Sequence, residues 1–166
     1  MTQSFSKLPL NTSLVDNLAS LNYVSMTEVQ AQALPDVLHN KDVIVQAKTG
    51  SGKTAVFGLG ILNQLNLSSM NVQSLVLCPT RELADQVAAE IRRLARGIPN
   101  VKIITLCGGV PARTQVTSLE HGAHVVIGTP GRVQDHLDRG TLTLDDLNLF
   151  VLDEADRMLD MGFQQA

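Results

Sequence analysis

Ala47-Lys48-Thr49-Gly50-Ser51-Gly52-Lys53-Thr54 follows a short apolar run, Val43-Ile44-Val45, and precedes an apolar-periodic segment, Val56 to Leu62. That order predicts a strand, a glycine-rich turn and a helix. The glycines let successive backbone N–H groups point inward, and the helix start adds a partial positive charge. Together they make a cradle for a polyphosphate. Lys53 reaches the outer phosphates, and the Thr54 hydroxyl is suited to Mg²⁺. The plainer alternative is a flexible loop between two ordinary elements, and the strand-before, helix-after setting argues against it. Ala47 stands where this pattern usually has glycine, which is harmless unless the position needs a positive φ.

Upstream, Leu14, Leu18 and Leu21 share one face of a predicted helix over 13–21. Thr27 and Gln30 fit a capping box opening a second helix, which should run to about His39 with a break or kink near Pro35. The first strand is expected at 42–46. Downstream, strands are expected at 75–78, 102–106, 124–127 and 149–152, with helices at 81–96, from Pro111 to about Glu120, and from Pro130 to near Gly140. Thr80 and Thr129 each look like an N-cap after a strand, and Pro130 suits the first helical position. The strands are continuous apolar runs, as in a sheet covered on both faces. The chain therefore reads as an α/β protein with a doubly wound parallel sheet and ligands at the carboxyl ends of its strands. Residues 1–40 form a leading helical region and residues 41–166 the core domain.

The chain has 166 residues, 44% of them apolar and only 3% aromatic, so the core is aliphatic. A formal net charge of −3 excludes a strongly basic nucleic-acid-binding surface written into the composition, though not local patches. Cys78 and Cys107 sit in apolar runs without metal-ligand or CxxC spacing and read as buried free thiols. No apolar run approaches the ~18 residues of a membrane span, and the polar N-terminus lacks a signal-peptide core. A soluble, cytoplasmic protein is expected.

The last strand runs straight into Asp153-Glu154-Ala155-Asp156. Asp153 suits a metal ligand beside bound phosphates, and Glu154 an orienting group or base for water. An acidic start to a surface helix is the alternative, favoured by the helix dipole.

These four residues spell the signature of the DEAD-box RNA helicases, and the other segments agree. Ala47 to Thr54 resembles that family's motif I, Pro79-Thr80-Arg81-Glu82-Leu83-Ala84 its motif Ia, Gly108-Gly109 its glycine doublet, and Thr129-Pro130-Gly131-Arg132 its motif Ib. Gln30, with Phe5 upstream, resembles the adenine-recognising Q motif. The resemblance covers essentially the whole chain in the family's order. The wording around the motifs most resembles bacterial members, the DbpA type among them.

The resemblance implies an ATP-dependent RNA helicase, with RNA-stimulated ATP hydrolysis coupled to local duplex opening, in a RecA-like P-loop NTPase domain. ATP and Mg²⁺ are the implied cofactors. Residues 47–54 hold the nucleotide, Thr54 and Asp153 the metal, and Lys53, Asp153 and Glu154 carry catalysis. Gln30 selects adenine through its amide and Phe5 packs on the base; the capping box is the competing reading of Gln30. Asp156 couples motifs between domains or caps its helix. Pro79, Thr80, Arg81, Gly108, Gly109, Thr129, Pro130, Gly131 and Arg132 form the RNA surface, where helix starts bind phosphate without large positive charge. Arg113 is a further phosphate contact or a solvated arginine. Two positions depart from the family pattern: Asn22, where glycine is usual, and Glu28, where proline is usual.

In the family the ATPase site is shared with a second RecA-like domain that supplies arginine fingers, and a Ser-Ala-Thr motif follows on an interior strand. Neither occurs here, so a truncated domain is expected, marginally stable or self-associating, and essentially inactive alone. A non-enzymatic nucleotide- or RNA-binding module is the alternative.

Overall fold

The computed structural model describes residues 4–163. Its chain forms two compact units, one from the residues up to Leu65 with Glu90–Pro99, the other from Asn66–Ala89 with the residues from Asn100 onward.

The second unit holds a four-stranded parallel sheet flanked by helices. Its strands are β1 (Ser74–Leu77), β2 (Ile103–Leu106), β3 (Val125–Gly128) and β4 (Leu149–Leu152), in the order β2-β3-β1-β4. Leu75 pairs in register with Val126 on one side and Phe150 on the other. Parallel strands need crossovers, and α4 (Arg81–Leu94), α5 (Ala112–Glu120) and α6 (Pro130–Asp138) supply helical ones, with α7 (Ala155–Asp160) after β4. Val72, Leu75, Leu106, Val126, Val133 and Leu142 form its aliphatic core. Burying each such side chain contributes about 1.5–3 kcal/mol. All four residues of β3 are buried, whereas Phe150 and Leu152 of β4 are exposed.

The first unit contains α1 (Thr12–Ser20), α2 (Glu28–Leu38), α3 (Lys53–Gln64) and the end of α4. Asn17 caps that end: its Nδ2 donates to the carbonyls of Leu94 (2.8 Å) and Arg93 (3.1 Å). A Cβ at Gly97 would lie 2.6 Å from the Ser13 carbonyl oxygen, so glycine is required where α1 meets the short 3₁₀ turn Ala95–Gly97.

Two expectations fail. Residues 41–48 form no strand, and Ile44 is fully exposed. A strand exists through its ladder, and among the described residues the four ladder strands pair only with one another. The apolar run Val43-Ile44-Val45 is thus extended in composition but unpaired. Nor does Pro35 break α2, which continues to Leu38 with Pro35 inside it and without that residue's backbone donor.

Candidate nucleotide and RNA site

The glycine-rich loop has the backbone that its composition demands. Gly50 and Gly52 take φ of +79° and +92°, the left-handed region open to glycine, while Ala47 is not among the positive-φ residues and so fits in glycine's place. Gly52 is the N-cap of α3, and no side chain caps that helix. The first-turn N–H groups of α3 are therefore left for a ligand. Ser51 Oγ is buried with no hydrogen-bond partner. Lys53 Nζ folds back on the loop, donating to the carbonyl oxygens of Ala47 and of Lys48, the latter at 2.9 Å. An uncapped helix start, an orphaned hydroxyl and an ammonium held only by carbonyls fit a bound polyphosphate.

Gln30 is buried and tied to this loop. Its Oε1 accepts the Thr27 N–H at 2.9 Å, completing the capping box of α2, and its Nε2 donates to the Gly52 carbonyl at 3.2 Å. Thr27 adds a second tie, its hydroxyl donating to the Ser51 carbonyl at 2.8 Å. Thus the capping role and a place beside the nucleotide loop belong to the same amide. The two unusual residues nearby are accommodated. Asn22 takes φ +60°, a conformation asparagine tolerates where glycine is usual, and Glu28 opens α2, where a carboxylate complements the dipole.

Phe5 lies in the same unit but is only 2% exposed, its ring edge-on to Tyr23 with centroids 6.1 Å apart. It presents no open face to a base in this structure. Tyr23 in turn donates to Glu90 Oε1 at 2.6 Å and accepts from Arg93 at 2.7 Å. Burial, and then the Glu90 carboxylate, raise its pKa. These two residues staple the leading segment to α4.

In the second unit Asp153 is buried at the end of β4, its N–H donating to the Leu77 carbonyl at 2.9 Å. Glu154 takes φ +52°; the other non-glycine residues with positive φ among those described are all asparagines. A glutamate held there stores roughly 1–3 kcal/mol of strain, of the kind concentrated at functional sites. Its carboxylate pairs with Arg157 at 3.3 Å. Asp156 is exposed in the first turn of α7, where it accepts the Arg157 N–H at 2.9 Å; the N-cap of that helix is Glu154. Among the described residues no group of three or more His, Cys, Asp and Glu is arranged to hold a metal. Mg²⁺ beside a nucleotide needs no such cage, since a hydroxyl or a carboxylate can hold it with phosphate oxygens; Thr54 in the first unit and Asp153 in the second are each of such a type.

The proposed RNA segments converge, because β1, β2 and β3 are parallel and each is followed by one of them. Thr80 caps α4, its hydroxyl accepting the Leu83 N–H at 3.3 Å. Thr129 precedes Pro130 at the first position of α6, and its side chain makes no capping bond, leaving the hydroxyl for a ligand. The Cys78 N–H donates to the Gly128 carbonyl at 2.9 Å, and the Thr129 N–H to that of Leu106 at 3.0 Å. Arg81 lies over the glycine doublet: a Cβ at Gly109 would be 3.0 Å from its Nη1. It also pairs weakly with Asp85 at 3.7 Å. Arg132, by contrast, turns inward, its Nη1 donating to the Val110 carbonyl and to Gln115 Oε1, both at 2.8 Å.

Both thiols sit beneath this edge. Burial, and then the Asp153 charge, push Cys78 up to about 12, and burial also raises Cys107. Three residues that sequence reasoning passed over belong here: Gln115, His136 and Gly128. A Cβ at Gly128 would lie 2.5 Å from the Leu106 carbonyl oxygen and 2.7 Å from Val133 Cγ2. Its only sequence signal is its place between a strand and an N-cap.

The family model for DEAD/DEAH box helicases matches residues 27–166. The chain is 64% identical over 150 residues to the ATP-dependent RNA helicase DbpA of Escherichia coli (strain K12), covering 90% of this chain and 33% of that protein. It is 42% identical over 160 residues to the DEAD-box ATP-dependent RNA helicase CshA of Geobacillus kaustophilus (strain HTA426), covering 96% and 34%. A crystal structure of a DEAD box protein from the hyperthermophile Methanococcus jannaschii superposes with a TM-score of 0.92 at 39% identity, over 98% of this chain and 44% of that one. The chain thus spans about a third of the length of the relatives it matches. Its parallel sheet flanked by helices is that of a DEAD-box RecA-like domain, and the chain belongs to the DEAD/DEAH box helicase family.

Proposed function

We propose that this chain is the ATP- and RNA-binding part of an ATP-dependent RNA helicase, in which RNA-stimulated ATP hydrolysis is coupled to local duplex opening. The observation that carries the reading is the uncapped start of α3 behind two left-handed glycines, with the Lys53 ammonium at its head. The printed names of the relatives support the same activity. In this reading residues 47–54 take the phosphates, Thr54 and Asp153 would hold Mg²⁺, and Glu154 orients water. When bound, the metal neutralises charge developing on the phosphoryl oxygens. Gln30 selects adenine after exchanging its loop contact for the base edge, and Phe5 follows only if its own 3₁₀ turn, Phe5–Lys7, moves. Asp156 couples the motif to a second domain.

Pro79, Thr80, Arg81, Gly108, Gly109, Thr129, Pro130 and Gly131 face RNA through helix starts and backbone donors. A structured or ribosomal RNA is the proposed target class; the printed names of the relatives support RNA as the substrate and go no finer. Buried free thiols suit a reducing, cytoplasmic setting. No described helix is long and apolar enough to cross a membrane. The exposed side chains of Phe150 and Leu152 on β4 favour self-association, which sedimentation at increasing concentration would register.

A titration with ATP and with GTP tests the nucleotide reading. Preference for ATP supports Gln30 as the selector, equal affinity removes that role, and no binding of either overturns the site.

A further inference from the structure

Gln115 lies outside every motif the sequence singles out, yet it is the hub of a buried polar network. Its Nε2 donates to the Cys107 carbonyl at 3.0 Å, at the entry to the glycine doublet. Its Oε1 meets Arg132 Nη1 at 2.8 Å and His136 Nε2 at 2.9 Å. A carbonyl accepts only and a guanidinium donates only, so this amide has one permitted orientation. Oε1 then requires His136 to carry its proton on Nε2. The Nδ1 of the neutral ring faces the Thr141 hydroxyl at 2.8 Å, whose single hydrogen is shared between Nδ1 and the His136 carbonyl oxygen at 3.1 Å. Burial, with Arg132 and Arg139 nearby, lowers the His136 pKa in spite of Asp135. Every polar atom of the Gln115 side chain is satisfied.

The network ties together two segments far apart in sequence, the doublet Gly108-Gly109 and the helix start Thr129–Arg132. Arg132 closes it, because both Nη1 hydrogens go to Val110 and Gln115. A phosphate grip built from backbone N–H groups depends on the spacing of the two segments that supply them.

We propose that Gln115 is a positioning residue for RNA, an internal clamp that, through Arg132, holds the glycine doublet and the start of α6 at the separation of successive phosphates. This rests on the RNA reading above, and it makes Arg132 a strut within the protein.

The test uses the 166-residue chain, a fluorescent single-stranded RNA at several KCl concentrations, and ATP in parallel. Gln115→Leu should weaken RNA binding about tenfold, with ATP affinity and the salt slope unchanged, since no phosphate contact is removed. Arg132→Lys keeps the charge and loses the two-hydrogen fork. It should weaken RNA binding similarly, and it serves as the test if Gln115→Leu fails to fold. A folded Gln115→Leu that binds RNA like the wild type overturns the inference, as does Arg132→Lys at wild-type affinity, which marks a direct phosphate contact. Nitrogen NMR should show the wild-type His136 ring protonated at Nε2, and a ring protonated at Nδ1 alone overturns the amide assignment. If the wild-type chain binds no RNA, the functional reading itself fails and the clamp falls with it.

Discussion

Gln30 Nε2 donates to the carbonyl of Gly52 while Gln30 Oε1 accepts the N–H of Thr27, so one side chain closes a helix and holds the nucleotide loop. Gln30→Ala should therefore cost about 1–2 kcal/mol of stability with no nucleotide present, from a lost capping box and a lost tie. Urea unfolding of the free chain measures this. An unchanged midpoint would reduce Gln30 to a reader of the base.

Gly52→Ala should be worse than an ordinary glycine replacement. The new Cβ would sit 2.5 Å from Gln30 Nε2, at φ +92°. Left-handed backbone alone costs about 1–2 kcal/mol for a residue with a Cβ. Nucleotide affinity and the unfolding midpoint should fall together. Gly50→Ala, with open space around the position but φ +79°, should show only the backbone part.

Glu154→Asn should raise stability by up to about 1 kcal/mol, since asparagine tolerates the left-handed region and the exposed pair with Arg157 contributes little. Thermal unfolding of the two chains decides it. A destabilised variant would show that the backbone there is not strained.

Of the two thiols, Cys78 is held at about 12 and Cys107 is raised, so neither should react with a thiol reagent in the folded chain at pH 8. Both should react on denaturation. Fast labelling of either thiol under native conditions would contradict their burial.

His124 and His136 are both buried with lowered pKa values, His124 by burial first and then by Lys102. His124 Nδ1 also accepts the Lys102 N–H at 3.0 Å, a bond available only to the neutral ring. Below about pH 6.5 the unfolded chain takes up protons that these rings refuse. Stability should thus be full above that pH and decline on acidification, by at most about 1.4 kcal/mol per pH unit for each ring. A flat thermal midpoint between pH 5 and 7 would refute it.

Much of this was legible in the sequence because local signals and packing agree. The four ladder strands are apolar runs bounded by turn residues, and β4 falls where expected. Thr27, Thr80 and Thr129 announce helix starts that the structure contains. Residues 42–46 were misread because a strand depends on a partner elsewhere, which an apolar run cannot reveal. The break at Pro35 was misread because a helix can run through a proline with one backbone donor missing, which the sequence signal does not show. Gln115 and His136 were invisible for another reason. A polar residue on a helix looks solvated unless the far ends of its hydrogen bonds are known, and those lie at Cys107 after β2, at Thr141 after α6, and between α5 and α6 themselves.

The folded-back ammonium of Lys53 makes nucleotide capture an exchange. A phosphate entering this cradle displaces the carbonyl oxygens of Ala47 and Lys48 from the lysine. Observed affinity is then a difference between two sets of contacts, smaller than the phosphate contacts alone would give. If the lysine must let go first, the association rate will level off at high nucleotide concentration, at the speed with which Lys53 releases its own loop.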